Sequence, residues 1–116
     1  MAERKIGLGI LGLGRSGWNI HARALMEHPR YQVAAVADPV AERRQEAIDA
    51  FGCRAYEQPQ GAIDDPGVEV VVVATPSHTH VPLALEALGK GKHAVVEKPM
   101  AEKASDIDTL IAKAKE

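Results

Sequence analysis

Gly12-Leu13-Gly14-Arg15-Ser16-Gly17 stands where a short apolar run gives way to helical spacing. Glycine at position 12 permits a tight turn, at 14 leaves the backbone open to an approaching ligand, and at 17 lets a helix pack closely on a strand. The helix N-terminus that follows offers unpaired N–H groups, which suit the negative charge of phosphate. In this setting the hexapeptide predicts a pyrophosphate cradle; three glycines serving only a tight turn are the plainer alternative. Arg15 either reaches that pyrophosphate or faces solvent.

Asp38 closes the next apolar run, at the separation from the glycines where an acid accepts hydrogen bonds from ribose hydroxyls. A carboxylate there opposes an added phosphate, so the expected cofactor is NAD, with NADP disfavoured. Asp38 can also cap a helix that begins at Pro39 or Val40, and the two roles are compatible. A solvated helix face accounts for Arg43 and Arg44; contact with a phosphate is the alternative.

Two further segments carry chemistry, Ala74-Thr75-Pro76-Ser77-His78-Thr79-His80 and Glu97-Lys98-Pro99. Each follows a strand, and ligands of open α/β sheets lie beyond the carboxyl ends of strands. His78 and His80 have no third ligand beside them, so no metal site is expected. His21 and His28 are read as packing or capping residues.

These residues need a scaffold. Lys5 to Leu11 reads as a strand and Arg15 to His28 as a helix, which Pro29 ends. Tyr31 to Ala37 is a second strand, followed by a helix with Val40, Ala47, Ile48 and Phe51 on one stripe and Gly52 at its end. Cys53 to Tyr56 is a short third strand, and Gln58 to Asp65 holds a brief helical turn. After Pro66 and Gly67, Val68 to Thr75 has the unbroken valines of a strand buried on both faces. Val81, Ala84, Leu85 and Leu88 mark a helix, His93 to Glu97 a fifth strand, and Ile107, Leu110, Ile111 and Ala114 the last helix. Strands alternating with helices predict an α/β fold, a doubly wound parallel Rossmann sheet in the order 3-2-1-4-5. Residues 1–116 then form one dinucleotide-binding domain.

Composition narrows the function. Of 116 residues 46% are hydrophobic, enough for a core. Lys and Arg total 14 against 16 Asp and Glu, so no basic surface recruits nucleic acid. The apolar run Val70 to Ala74, unsurpassed in length along the chain, is too short to span a bilayer, and a cytoplasmic location without membrane contact is expected. The single cysteine, Cys53, excludes an internal disulfide.

Taken in order, GLGRSG, VADP, ATPSHTH and VVEKPMA resemble the N-terminal domain of the Gfo/Idh/MocA oxidoreductases along nearly the whole chain. The resemblance implies hydride transfer between a nicotinamide cofactor and a carbinol of a sugar, cyclitol or similar polyol. It maps the family's lysine onto Lys98, which would hydrogen-bond the reacting oxygen and steady its developing charge; a surface lysine is the alternative. It places Thr75, Pro76 and His80 along the cofactor, together with Gly12, Leu13, Gly14, Arg15, Ser16, Gly17, Asp38, Glu97 and Lys98. Ser77 departs from the pattern, since many relatives carry asparagine there. The Lys98-Pro99 peptide is expected to be cis, as is common in enzymes of similar architecture.

The family's pattern continues with a sixth strand and a C-terminal substrate domain, which this chain lacks. That domain normally supplies an aspartate and a histidine for proton transfer. The expectation is therefore a fragment that binds NAD(H) but turns over no polyol alone, with the edge of strand five open to pairing in a homo-oligomer. A Rossmann module that senses NAD(H) without chemistry is the rival reading.

Overall fold

The computed structural model describes residues 5–14, 30–96 and 104–115. The expected first helix lies outside the described residues, as does the stretch 97–103 with the Lys98-Pro99 peptide. Five parallel strands form one sheet, β1 (Ile6–Leu11), β2 (Tyr31–Ala37), β3 (Arg54–Tyr56), β4 (Val70–Val73) and β5 (His93–Val96). Their spatial order is β3-β2-β1-β4-β5, the order expected from the sequence. The described helices are α1 (Ala41–Phe51), α2 (Pro59–Asp64), α3 (His80–Gly89) and α4 (Ala104–Ala114). None is long and apolar enough to cross a membrane.

Apolar alternation explains the layers. Leu11, Ala35, Ala37, Val71 and Val73 face one way and pack with Ala62 and Ile63 of α2 and Leu83 and Ala87 of α3. Ile10, Val33, Val36 and Val72 face the other way, against Ala47 of α1. Val33 and Ala35 lie on opposite faces because pairing with β1 skips Ala34, a bulge that resets the alternation. β4 is buried on both sides, as its valines require. It is shorter than the run Val68 to Thr75, because Val68 N–H turns back to the Asp65 carbonyl before the ladder begins. β5 is an edge among the described strands, and Val95 on it is 47% exposed.

Asp65 fastens the amino end of the sheet, opposite the end where the loops of interest emerge. Its Oδ2 accepts from Arg54 Nε at 2.5 Å and from the Tyr56 hydroxyl at 2.8 Å, while Oδ1 accepts from Arg54 Nη2 at 2.6 Å and Gly67 N–H at 2.8 Å. Lys92 Nζ adds bonds to the Asp65 and Val68 carbonyls at 3.1 and 2.5 Å. β3, the turn before β4 and the entry to β5 are thus held by one buried carboxylate and one lysine. The Arg54 hydrogen bonds, joined by those from Gly67 and Tyr56, hold the Asp65 carboxyl far below the usual carboxylate range despite its burial.

A depressed carboxyl pKa stabilises the fold above the unfolded value and loses that contribution as pH falls toward the folded one. Asp65 should therefore contribute a constant amount from neutral pH to about pH 5, declining below about pH 4. Asp65→Ala is expected to cost about 2–4 kcal/mol at pH 7, at the lower end because the exposed Arg54 can rehydrate. Asp65→Asn should flatten the acid limb of stability in urea denaturation between pH 5 and 3. An acid limb as steep in Asp65→Asn as in the unchanged chain would contradict this assignment.

Candidate functional site

The carboxyl ends of β1, β2 and β4 are knit together beyond the strands themselves. Gly12 N–H donates to the Ala37 carbonyl at 2.8 Å, Ala74 N–H to the Leu11 carbonyl at 2.9 Å, and Asp38 N–H to the Tyr56 carbonyl at 3.0 Å. Gly12 has φ +89°, and a Cβ there would lie 2.7 Å from the Ala74 carbonyl oxygen. Only glycine meets both demands. Gly14 differs: among the described residues a Cβ there would meet only Arg43 Nη1, at 3.7 Å. Among the described residues nothing else closes the space above Gly14, which fits a ligand brought against the backbone.

Leu13 has its side chain in the core beside Ile10, Val36, Ala47 and Val72. Its N–H donates to Asp38 Oδ2 at 2.8 Å. Leu13 therefore anchors the loop by packing while its backbone is held by the acid. Arg15, Ser16 and Gly17 lie outside the described residues.

Asp38 is buried, 3% exposed, and both carboxylate oxygens are in use. Oδ2 takes the Leu13 N–H, and Oδ1 takes the Val40 N–H at 2.8 Å. Val40 is the residue that caps α1, and no side chain caps it. Asp38 thus shapes the turn that enters the helix, two residues ahead of the cap position. Each carboxylate oxygen retains a further lone pair for a hydroxyl donor. Arg44 Nη1 donates to the Asp38 carbonyl at 2.9 Å, and Arg43 Nη1 lies 3.7 Å from Asp38 Oδ2. Both arginines turn back onto Asp38, where a solvated helix face was the expectation. A cation five or six residues after the acid, one helical turn in, was the available signal.

At the end of β4 the segment from Thr75 to His80 folds on itself. Ser77–Thr79 forms a 3₁₀ turn that runs into α3, with Thr79 N–H donating to the Pro76 carbonyl at 2.9 Å. His80 is buried, 2% exposed, and its Nε2 lies 2.8 Å from the Thr75 carbonyl. A carbonyl only accepts, so that nitrogen carries the proton and donates. His80 therefore holds the Thr75-Pro76 backbone in place from beneath. Thr75 is half-buried and Pro76 exposed, at the lip of the same crevice as Gly12. Thr79, absent from the sequence-level candidates, hydrogen-bonds the Thr75 hydroxyl at 2.6 Å. Glu97 and Lys98 lie outside the described residues. Among the described residues no group of three His, Cys, Asp or Glu side chains is placed to hold a metal.

A parallel 3-2-1-4-5 sheet, a glycine loop with an open cradle, and an acid at the end of β2 define a dinucleotide-binding Rossmann domain. Comparison with known proteins agrees. Residues 6–116 match the Gfo/Idh/MocA model, described as an oxidoreductase family with an NAD-binding Rossmann fold, and the chain belongs to that family. It is 33% identical over 100 residues to scyllo-inositol 2-dehydrogenase (NAD(+)) of Bacillus subtilis, covering 84% of this chain and 29% of that protein. It is 33% identical over 109 residues to myo-inositol 2-dehydrogenase of Thermotoga maritima, covering 93% and 32%. Among solved structures, KijD10, a 3-ketoreductase from Actinomadura kijaniata in complex with TDP-benzene and NADP, aligns with TM-score 0.90 and 27% identity, over 97% of this chain and 35% of that one. The WlbA dehydrogenase from Bordetella pertussis, in complex with NADH and UDP-GlcNAcA, aligns with TM-score 0.85 and 29% identity, over 99% and 33%. The chain thus spans about a third of the length of these relatives.

The two loop glycines should separate by experiment. Gly12→Ala combines a positive φ with a backbone clash and is expected to cost about 2 kcal/mol or more in stability. Gly14→Ala, which clashes with none of the described residues, should change stability by less than about 1 kcal/mol yet weaken NADH binding. Urea denaturation beside an NADH titration checks both. Equal destabilisation by the two variants, or unaltered NADH affinity in Gly14→Ala, would contradict this reading of the loop.

Proposed function

We infer that the chain is the nucleotide-binding part of an NAD-dependent oxidoreductase acting on a carbinol of a sugar, cyclitol or related polyol. The observation that carries this is the buried Asp38 carboxylate joined to the Leu13 N–H of the glycine loop, which sets an acid and a phosphate cradle side by side. Residues 12 to 17 would hold the pyrophosphate, and Asp38 would accept from the adenosine ribose hydroxyls. Thr75 and Pro76, held by His80, would line the other half of the crevice. A nicotinamide dinucleotide, when bound, supplies the site's hydride acceptor or donor. Lys98, with Glu97 beside it, would hydrogen-bond the reacting oxygen and stabilise the charge that develops there.

NAD(H) is favoured over NADP(H) because a 2′-phosphate would lie against Asp38. Arg43 beside that carboxylate moderates the repulsion and leaves its sign unchanged, since Asp38 is buried and Arg43 is half-exposed. Inositols and nucleotide-linked sugars are the compounds named for the similar proteins, and a polyol is proposed here on that footing. The specificity for one polyol, and the proton-transfer groups, are assigned to a further domain of the kind that occupies the remaining length of the relatives.

Fluorescence titration of the 116-residue chain with NADH and NADPH tests the proposal. NADH is expected to bind at least about tenfold more tightly, a difference of about 1.4 kcal/mol that one like-charge contact can supply. Asp38→Asn, which keeps an acceptor for a backbone N–H, should narrow the gap. The chain alone, incubated with NAD and a panel of sugars and inositols, should form no NADH, because the groups that fix the carbinol at reacting distance are assigned to the further domain. Preference for NADPH would remove Asp38 from the ribose, and steady turnover lost in Lys98→Ala would show that the further domain is dispensable.

A further inference from the structure

The hydroxyls of the Thr75 to Thr79 turn form a chain whose direction follows from counting protons. Thr79 Oγ1 lies 2.5 Å from the Pro76 carbonyl oxygen and 2.6 Å from Thr75 Oγ1. The carbonyl only accepts, so the single Thr79 proton goes to Pro76. Thr75 must then donate its own proton to Thr79. What Thr75 Oγ1 keeps is lone pairs and no proton, so toward a ligand it can only accept. Among the described residues no other protein group bonds that oxygen. It stands at the carboxyl end of β4 beside Gly12, where an added Cβ would come within 3.2 Å of Thr75 Cγ2.

We propose that Thr79 is a positioning residue that makes Thr75 an obligate acceptor, and that Thr75 Oγ1 takes a hydrogen bond from a hydroxyl of the nicotinamide-side ribose. This rests on the dinucleotide reading above. β4 lies on the opposite side of β1 from β2. With the adenosine ribose at Asp38 and the pyrophosphate over the β1 loop, the remaining half of the dinucleotide meets β4. Of the groups there, the phosphates have no proton to give at neutral pH; the ribose hydroxyls and the carboxamide N–H do, and the ribose is the one bonded directly to the pyrophosphate. A free threonine hydroxyl can serve as donor or acceptor; one locked by Thr79 selects a donor and enters the site without losing rotational freedom on binding.

Calorimetric titration of NADH, ADP-ribose and ADP into the unchanged chain, Thr79→Val, Thr79→Ser, Thr75→Val and the double valine variant tests the proposal. Thr79→Val and Thr75→Val are expected to weaken NADH and ADP-ribose about three- to tenfold and to leave ADP within about twofold. Thr79→Ser should restore affinity, and the double variant should bind no more weakly than Thr75→Val, because the two residues act as one unit. If circular dichroism shows Thr79→Val unfolded, Thr79→Ala takes its place. Unaltered NADH affinity in the Thr79 variant, an equal loss for ADP, additive losses in the double variant, or a loss for NADH without one for ADP-ribose would each overturn the inference while the dinucleotide reading stands. Failure of the unchanged chain to bind NADH would overturn both.

Discussion

A buried carboxylate with two backbone partners on separate segments constrains everything around it. Asp38 draws the Leu13 N–H of the glycine loop and the Val40 N–H at the start of α1 to one side chain. Without it, both N–H groups at a crowded sheet end would need other acceptors, and an unpaired buried donor costs about 1–3 kcal/mol. The same constraint fixes the loop after β1 relative to the end of β2, and so sets the distance between the proposed phosphate cradle and the proposed ribose acceptor. Arg44 on the Asp38 carbonyl and Arg43 near its carboxylate complete the surround.

Stability and function are divided between the two ends of the sheet. At the amino end the side chains of Asp65, Arg54 and Lys92 and the Tyr56 hydroxyl are bonded through Asp65, away from the glycine loop. At the carboxyl end the satisfied groups belong to the scaffold, as in the His80 bond to Thr75, while the Gly14 cradle and the Thr75 oxygen retain capacity for a ligand. A rigid, well-bonded frame with a few open valences suits a site that must receive a large, charged, flexible molecule without first reorganising.

Much of this was legible in the sequence because local signals and global topology coincide. The valine run of β4 and the Gly52 helix stop each had one physical solution, and strands alternating with helices imply the strand order observed. Asp38 was readable as a candidate ribose acceptor from its distance to the glycines. Its bond to Leu13 was not, since contacts across a fold leave no trace in spacing. Arg43 and Arg44 read as surface residues because helical periodicity cannot show a long side chain folding back on the turn before it. Thr79 was invisible for a subtler reason: its importance lies in where one proton points, which depends on the Pro76 carbonyl being turned toward it. The bulge at Ala34 likewise has no sequence mark, since alanine suits either face.

The central claim is that the crevice over β1, β2 and β4 binds the dinucleotide. Amide NMR of the isotopically labelled chain during NADH titration tests it most directly, because each backbone N–H reports its own surroundings. Saturable shifts are expected at Gly12, Leu13, Gly14, Asp38 and the Thr75 to His80 turn, with Gly67, Val68 and Lys92 at the far end of the sheet unmoved. Shifts centred on that far end, or none that saturate, would contradict the account.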